Sequence, residues 1–112
     1  MSQSVPDAVR DYLAASVSND PAAIAACFTA DGEVQDEKRT HVGPAAIRAW
    51  AKEVREKYRF TLEVRDVAGK DDDIAVIAEV TGTFPGSPIV LRYAFHLTDG
   101  KIARLRIGLP TA

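Results

Sequence analysis

The 112-residue sequence is poor in cysteine and has no excess of charge of one sign, and each of these features excludes some classes of protein. Its one cysteine, Cys27, has no partner in the chain for a disulfide, and the first residues lack the basic and apolar segments of a secretory signal. These features favour a reducing, cytoplasmic setting. No apolar run approaches the roughly 20 residues that a membrane helix requires, so we expect no membrane association.

The charge balance and the missing motifs exclude further classes of protein. With 14 Lys and Arg against 16 Asp and Glu, the net charge is −2, which argues against a nucleic-acid partner. Zinc-binding spacings, a phosphate-binding glycine loop and a nucleophile elbow are all missing. The acidic run 71–73 lacks the spaced ligands and the glycine of a calcium loop, so we interpret it as a solvated turn. We therefore expect no metal and no cofactor.

The composition that remains is that of an ordinary globular protein, with 46% hydrophobic and 27% charged residues. A chain of this length can bury roughly two thirds of its unfolded surface and fold without staples. We therefore predict a single domain over residues 1–112.

Three helices are predicted in the first half of the chain. Ser4 and Asp7 have the spacing of a capping box for the first helix. Asp20 and Pro21 are the cap and first residue of a short second helix that extends to Phe28. The third helix follows Gly43-Pro44, and its apolar residues recur at helical spacing: Ile47, Trp50, Ala51, Val54 and Tyr58.

From Phe60 onward the apolar residues alternate with polar ones, which predicts strands. Four long strands joined by short turns form an antiparallel meander, and segments 33–36 and 40–42 add a short hairpin. Gly82 and Gly108 fall inside predicted strands, where we expect bulges or bends. Helices first and strands after predict an α+β fold, in which a curved sheet wraps around the helices and leaves a concave pocket.

Segment 34–36 places an acidic side chain where such a pocket would lie. If Val34 faces the core, the alternation of a strand sends Asp36 to the same face. Apolar surroundings raise the pKa of a carboxyl group above about 3.9 and make it a stronger base. Asp36 is either a catalytic base or a structural acid that bonds the following turn or pairs with Arg39. The predicted lining of its pocket is Phe28, Val34, Trp50, Val80, Phe95, Leu105, Ile107 and Leu109.

Several motifs together resemble a known family. They are Asn-Asp-Pro at 19–21, Phe-Thr-Ala-Asp-Gly-Glu-Val-Gln-Asp at 28–36, Gly-Pro-Ala-Ala-Ile-Arg-Ala-Trp at 43–50 and Thr-Asp-Gly-Lys-Ile at 98–102. The chain resembles, over nearly its whole length, the SnoaL-like and ketosteroid-isomerase-like branch of the nuclear transport factor 2 (NTF2) fold. The resemblance implies a cone-shaped sheet around three helices. Because this fold carries isomerases, cyclases, dehydratases, hydrolases and proteins without chemistry, function depends on the site.

The resemblance to ketosteroid isomerases also implies residue roles. In those enzymes an Asp moves a proton beside a carbonyl group, while a Tyr and a neutral Asp hold the developing oxyanion. Asp36 matches the base and Tyr12 matches the oxyanion Tyr. Tyr93 stands in place of the oxyanion Asp, and a phenol can also donate a hydrogen bond without carrying charge. Leu109 replaces a large aromatic residue, which implies a smaller or more open pocket.

Two functions are compatible with this pattern. The first is a small-molecule isomerase or cyclase, with Asp36 as the base and Tyr12 and Tyr93 as oxyanion donors. The second is a non-catalytic domain that keeps its pocket for packing or for an apolar, cyclic ligand, in which Tyr12 is a core aromatic residue.

Three further residues have weaker patterns. His41, near the start of the third helix, is either a rim acid–base group or a solvated loop histidine. His96 alternates with Phe95 and should therefore point to the outer face of the sheet. We interpret Cys27 as an inert buried thiol.

The outer sheet face mixes apolar residues with complementary charges more than a solvated sheet requires. We therefore expect a homodimer through this face. The predicted contact residues are Val90, Arg92, Ala94 and His96 on one strand and Ala75, Ile77, Glu79 and Thr81 on its neighbour.

Overall fold

The computed structural model describes residues 5–110, and the three predicted helices are confirmed. Asp20 caps the second helix, because its carboxylate accepts a 3.1 Å hydrogen bond from the Ala23 amide, and Pro21 follows at the first position. The predicted cap Ser4 lies outside the described residues. Within residues 5–110, no helix has both the length and the apolar character of a membrane span. The helices are α1 (Asp7–Ser18), α2 (Pro21–Ala26) and α3 (Pro44–Tyr58).

Six strands form one curved, mostly antiparallel sheet that does not close. They are β1 (Phe28–Asp36), β2 (Arg39–Val42), β3 (Thr61–Lys70), β4 (Asp73–Thr81), β5 (Ile89–Thr98) and β6 (Lys101–Gly108). The last four form the predicted antiparallel meander, and β1 and β2 form a hairpin. Because β1 also pairs in parallel with β6, the order across the sheet is β2-β1-β6-β5-β4-β3.

The first strand begins earlier than the sequence pattern predicted. Helical spacing extended α2 to Phe28, whereas the structure ends α2 before this residue and starts β1 there. The cause is a distant segment: the Ile102 amide donates to the Cys27 carbonyl at 2.9 Å, and Ile102 pairs with Phe28. The same parallel pairing sets Val34 opposite Leu105 on the inner face. A contact so far along the chain leaves no local signal.

Of the bulges or bends predicted at two glycines, a bend is confirmed at Gly82, but neither glycine lies at a bulge. Gly82 follows β4 instead of interrupting it, and a Cβ at this residue would lie 2.6 Å from the Tyr58 carbonyl oxygen. Glycine thus allows the end of α3 to approach the end of β4. Gly108 is the last residue of β6. The shifts in strand register lie between Phe28 and Glu33, between Val64 and Asp66, and between His96 and Leu97.

The core lies between the concave sheet face and the helices. The alternation predicted for β5 is confirmed, because Tyr93, Phe95 and Leu97 are buried while Arg92 and His96 are exposed. Burying one large apolar side chain contributes about 1.5 to 3 kcal/mol, so this row anchors the helices to the sheet. Beyond the core, towards the ends of the strands, the packing opens into a cavity.

Candidate active site

A cavity of about 800 Å³ lies between the inner face of the sheet and helices α1 and α3. A volume of this order accommodates a cyclic small molecule. Most of its wall is apolar and comes from α3 and from the ends of the long strands. Representative wall residues are Val54, Phe60, Phe84, Ile89, Leu91 and Ile107.

Asp36, the last residue of β1, lines this cavity. Trp50 on α3 donates from Nε1 to Asp36 Oδ2 at 3.1 Å and orients the half-buried carboxylate. Burial raises the pKa of the Asp36 carboxyl above its ordinary value, and the Trp50 hydrogen bond opposes this shift. Arg39, the alternative partner, contacts Glu53 at 3.9 Å instead. The cavity therefore holds a carboxylate whose affinity for a proton is increased by its surroundings.

Two buried phenols lie near this carboxylate. Tyr12 on α1 and Tyr93 on β5 both line the cavity, and their ring centroids are 6.4 Å apart. Burial raises the pKa of Tyr12 and of Tyr93, and the negative charge of Asp36 raises both further. Both hydroxyl groups thus stay protonated at neutral pH and remain hydrogen-bond donors. The tertiary structure brings together all three predicted catalytic residues.

The predicted cavity lining divides into two groups. Trp50, Val80, Ile107 and Leu109 do line the cavity, and Leu109 is the most exposed of them, at 54%. The other four lie in the core beneath it, because the ring of Tyr12 packs over Phe95 and Phe28 with centroids 5.4 and 6.2 Å apart, and Val34 is paired with Leu105. The core residues are Phe28, Val34, Phe95 and Leu105.

The remaining sequence candidates lie away from the cavity wall. His41 is half-buried on β2 with its ring 6.1 Å from that of Trp50, and it lowers the pKa of Asp36. His96 is exposed on the outer face, as predicted, with Nδ1 2.8 Å from the Asp73 carboxylate. Burial raises the pKa of the Cys27 thiol, and the thiol donates to a backbone carbonyl. Both observations agree with the interpretation of Cys27 as an inert buried thiol. Within residues 5–110, no cluster of three metal-ligating side chains occurs.

Sequence reasoning missed the polar residues at the cavity mouth. Tyr58 donates to Glu37 Oε1 at 2.7 Å, which joins the end of α3 to the β1–β2 turn. Arg55 lies three positions before Tyr58 on α3, and both residues line the cavity together with Trp50. The signal was this spacing of three residues, which places the side chains of Arg55 and Tyr58 next to each other on the helix surface.

The curved sheet around three helices, with a cavity that holds a carboxylate beside two protonated phenols, defines a protein with an NTF2-like α+β fold. The family follows from comparison with known proteins: the model of the SnoaL-like domain matches residues 9–105, so the chain belongs to the SnoaL-like family. The matched region includes Tyr12, Asp36 and Tyr93. Comparison with curated protein sequences gives no match.

Solved structures agree with this family. A candidate polyketide cyclase of Sinorhizobium meliloti is 38% identical with a TM-score of 0.88, over 92% of this chain and 94% of the other. A Catenulispora acidiphila protein of ketosteroid-isomerase-like fold, crystallised with trimethylamine, is 19% identical with a TM-score of 0.82, over 93% and 85% of the two chains. TerC, co-crystallised with polyporic acid, is 18% identical with a TM-score of 0.80, over 94% and 90%. At these lower identities the likeness shows the fold.

Proposed function

We propose that this protein is a cofactor-independent isomerase or cyclase that moves a proton beside a carbonyl group of a cyclic small molecule. One observation carries the proposal: a carboxylate with a raised pKa lines an apolar cavity close to two buried, protonated phenols. The name of the Sinorhizobium meliloti relative, a candidate polyketide cyclase, supports this class of reaction.

The proposed reaction begins with proton transfer to Asp36. The carboxylate accepts a proton from the carbon next to the carbonyl, and the electrons of the broken C–H bond form an enolate. Tyr12 and Tyr93 donate hydrogen bonds to the enolate oxygen, where the negative charge now lies. In an isomerisation, Asp36 returns the proton to a different carbon. In a cyclisation, the enolate carbon attacks a second carbonyl group of the same molecule and Asp36 supplies the proton to the resulting alkoxide.

The contact between Asp36 and Trp50 also fits the second function, a binding domain without chemistry. The indole satisfies one carboxylate oxygen, so Asp36 has a structural partner without any substrate. In this alternative the cavity binds a cyclic ligand and the raised pKa of Asp36 has no catalytic use. A measurement of catalytic turnover is therefore needed to distinguish the two functions.

The test is hydrogen exchange, which needs no knowledge of the natural substrate. We expect the protein to accelerate exchange of the protons next to the carbonyl of β-tetralone and cyclohexanone in heavy water, because exchange needs only enolate formation. Proton NMR follows the loss of signal against a protein-free sample at the same acidity. The matched control is Asp99→Asn, which removes an exposed carboxylate and should exchange at the wild-type rate. No acceleration with any cyclic ketone would favour the binding domain.

We also expect the protein to form a homodimer through the outer face of the sheet. Ala68, Ala75 and Ala94 lie side by side on neighbouring strands, so two sheets can approach closely there. Asp66 lies on the β3 side of these alanines and two arginines, Arg92 and Arg106, lie on the β5–β6 side, so a two-fold axis would oppose unlike charges. Glu63 and Glu79 lie on the same side as Asp66 but pair with Arg65 of their own chain.

Light scattering should therefore give twice the chain mass of 12.1 kDa at micromolar concentration. Ala94→Arg places a bulky cation at the centre of this face and should give the monomer mass, whereas Ala49→Arg, on the exposed side of α3, should not. A monomeric wild-type protein across this concentration range would contradict the predicted dimer.

A further inference from the structure

Arg55 is a cation that the proposed proton transfer does not use. It lies half-buried on α3 and lines the cavity. Its guanidinium carbon is 5.2 Å from the centroid of the Phe60 ring, and one terminal nitrogen donates to the Ser16 carbonyl oxygen at the end of α1. These two contacts hold the guanidinium group in one place.

This arginine has a backbone partner, but the part of the chain that the structure describes supplies no counter-ion for it. Within residues 5–110, no carboxylate forms an ion pair with Arg55, although four exposed arginines each contact at least one. The acids that share its cavity are engaged elsewhere, Asp36 with Trp50 and Glu37 with Tyr58. A carbonyl oxygen accepts one hydrogen bond but leaves the positive charge in place, so most of the guanidinium donors remain for a ligand.

Arg55 lies further along α3 than the residue that contacts the proposed base. It follows Trp50 by five positions, so its backbone lies about 7.5 Å further along the helix axis than that of Trp50, whose indole contacts Asp36. Apolar wall residues such as Val54 lie along the same stretch of the cavity. A ligand that contacts both ends needs an apolar middle, a carbonyl or hydroxyl group at one end and a negative charge at the other.

We propose that the ligand of this cavity is a carboxylate-bearing cyclic ketone or phenol, and that Arg55 binds its carboxylate. The proposal rests on the proposed function, because it takes Asp36 as the end of the cavity where the carbonyl lies. Arginine suits this role because its planar donors match both oxygens of a carboxylate. Lys38 also lines the cavity, but it lies on an exposed turn where water weakens its attraction for an anion.

The experiment compares two probes that differ in one negative charge and one methyl group, para-hydroxyphenylpropanoate and its methyl ester. Trp50 is the one tryptophan of the chain and lines the cavity, so its fluorescence reports binding at this site, with calorimetry as a second readout. We expect the acid to bind the wild-type protein about tenfold more tightly than the ester, the lower end for a hydrogen bond to a charged group. Arg55→Gln should remove this preference and leave the affinity of the ester nearly unchanged.

Two variants separate the role of Arg55 from its structural contact with α1. Arg48→Gln removes a charge from the exposed side of the same helix and should keep the preference for the acid. Arg55→Lys keeps the charge but loses the planar donors, so it should keep part of the preference. If Arg55→Gln unfolds, the comparison of acid and ester in the wild type and in Arg55→Lys still tests the proposal.

The outcomes distinguish this inference from the proposed function. Equal affinity for acid and ester in the wild-type protein, or binding of neither, overturns the role of Arg55, and ketone exchange then decides the proton transfer independently. A preference for the acid that Arg55→Gln abolishes, without any exchange of ketone protons, supports the anion site and contradicts the catalytic function. A preference that Arg48→Gln abolishes equally shows a general charge effect and overturns the site.

Discussion

Replacement of Asp36 by asparagine is expected to lower the rate of ketone proton exchange by about 10² to 10⁴, the range for a positioned general base. Asparagine has nearly the same shape but cannot accept the proton, so chemistry is lost while binding is kept. NMR exchange rates for variant and wild type, measured with the same ketone at saturation, give the effect directly. The control is Asp99→Asn, which should retain the wild-type rate.

The pH dependence of the wild-type exchange rate should show the ionisation of Asp36. Because burial raises the pKa of Asp36, the rate should fall on acidification at a pH above about 3.9, the ordinary value for aspartate. The ionised carboxylate is the active form, so the loss occurs below the pKa and the rate levels off above it. A rate that stays constant down to this pH would contradict Asp36 as the base.

The stability of the Asp36→Asn variant separates a catalytic acid from a structural one. With its pKa raised in the fold, the folded protein holds this proton to higher pH than the unfolded chain does, so the ionised form lowers stability at neutral pH. The variant should therefore melt at or above the wild-type temperature near neutral pH, and this difference should disappear as the pH falls below the unfolded value. A variant that melts far lower yet keeps its exchange rate would show that Asp36 is structural.

Tyr12→Phe is expected to weaken the binding of an ionised phenol by about 1.5 to 3 kcal/mol, the contribution of a hydrogen bond to a charged group. A phenolate resembles the enolate in shape and charge, so it tests the oxyanion donors without turnover. In the wild-type protein, affinity across a series of substituted phenols should rise with their acidity until the bound form is fully ionised. Calorimetry at one fixed pH measures the series of phenols, and calorimetry at a pH where the ligand is ionised measures the effect of Tyr12→Phe.

The chain offers a matched control among its three tyrosines. Tyr58 also lines the cavity, but its hydroxyl donates to Glu37, so Tyr58→Phe should change phenolate affinity little. Tyr93→Phe should weaken binding as Tyr12→Phe does, because both donors face the same charge. Asp36→Asn should bind phenolate at least as tightly as wild type, since it removes a negative charge near the ligand. If Tyr12→Phe left the affinity for phenolate unchanged, Tyr12 would be a core aromatic residue and not an oxyanion donor.

The sequence alone was sufficient for the helices and the long strands, but not for the boundary between α2 and β1. Asp20-Pro21 marked the start of α2, helical spacing after Gly43 predicted α3 as far as Tyr58, and alternation along β5 predicted which side chains are buried. These signals are local, because caps and periodicity depend on residues within a turn or two of each other. The order of the strands in the sheet had no such local signal, because the parallel pair of β1 and β6 joins Phe28 to Ile102, which are far apart in the chain.

The candidate site also combines features that the sequence predicted with features that only the tertiary structure determined. The alternation from Val34 to Asp36 and the motifs of the SnoaL-like family together pointed to Asp36, Tyr12 and Tyr93 from sequence, and the three residues line one cavity. Tertiary packing decided the rest: Tyr12 covers Phe95 and so removes it from the wall, Trp50 becomes the partner of Asp36, and α3 turns Arg55 into the cavity. Local sequence determines which face a side chain takes. Only the meeting of distant elements determines what lies opposite that face, and hence burial, partners and the pKa of Asp36.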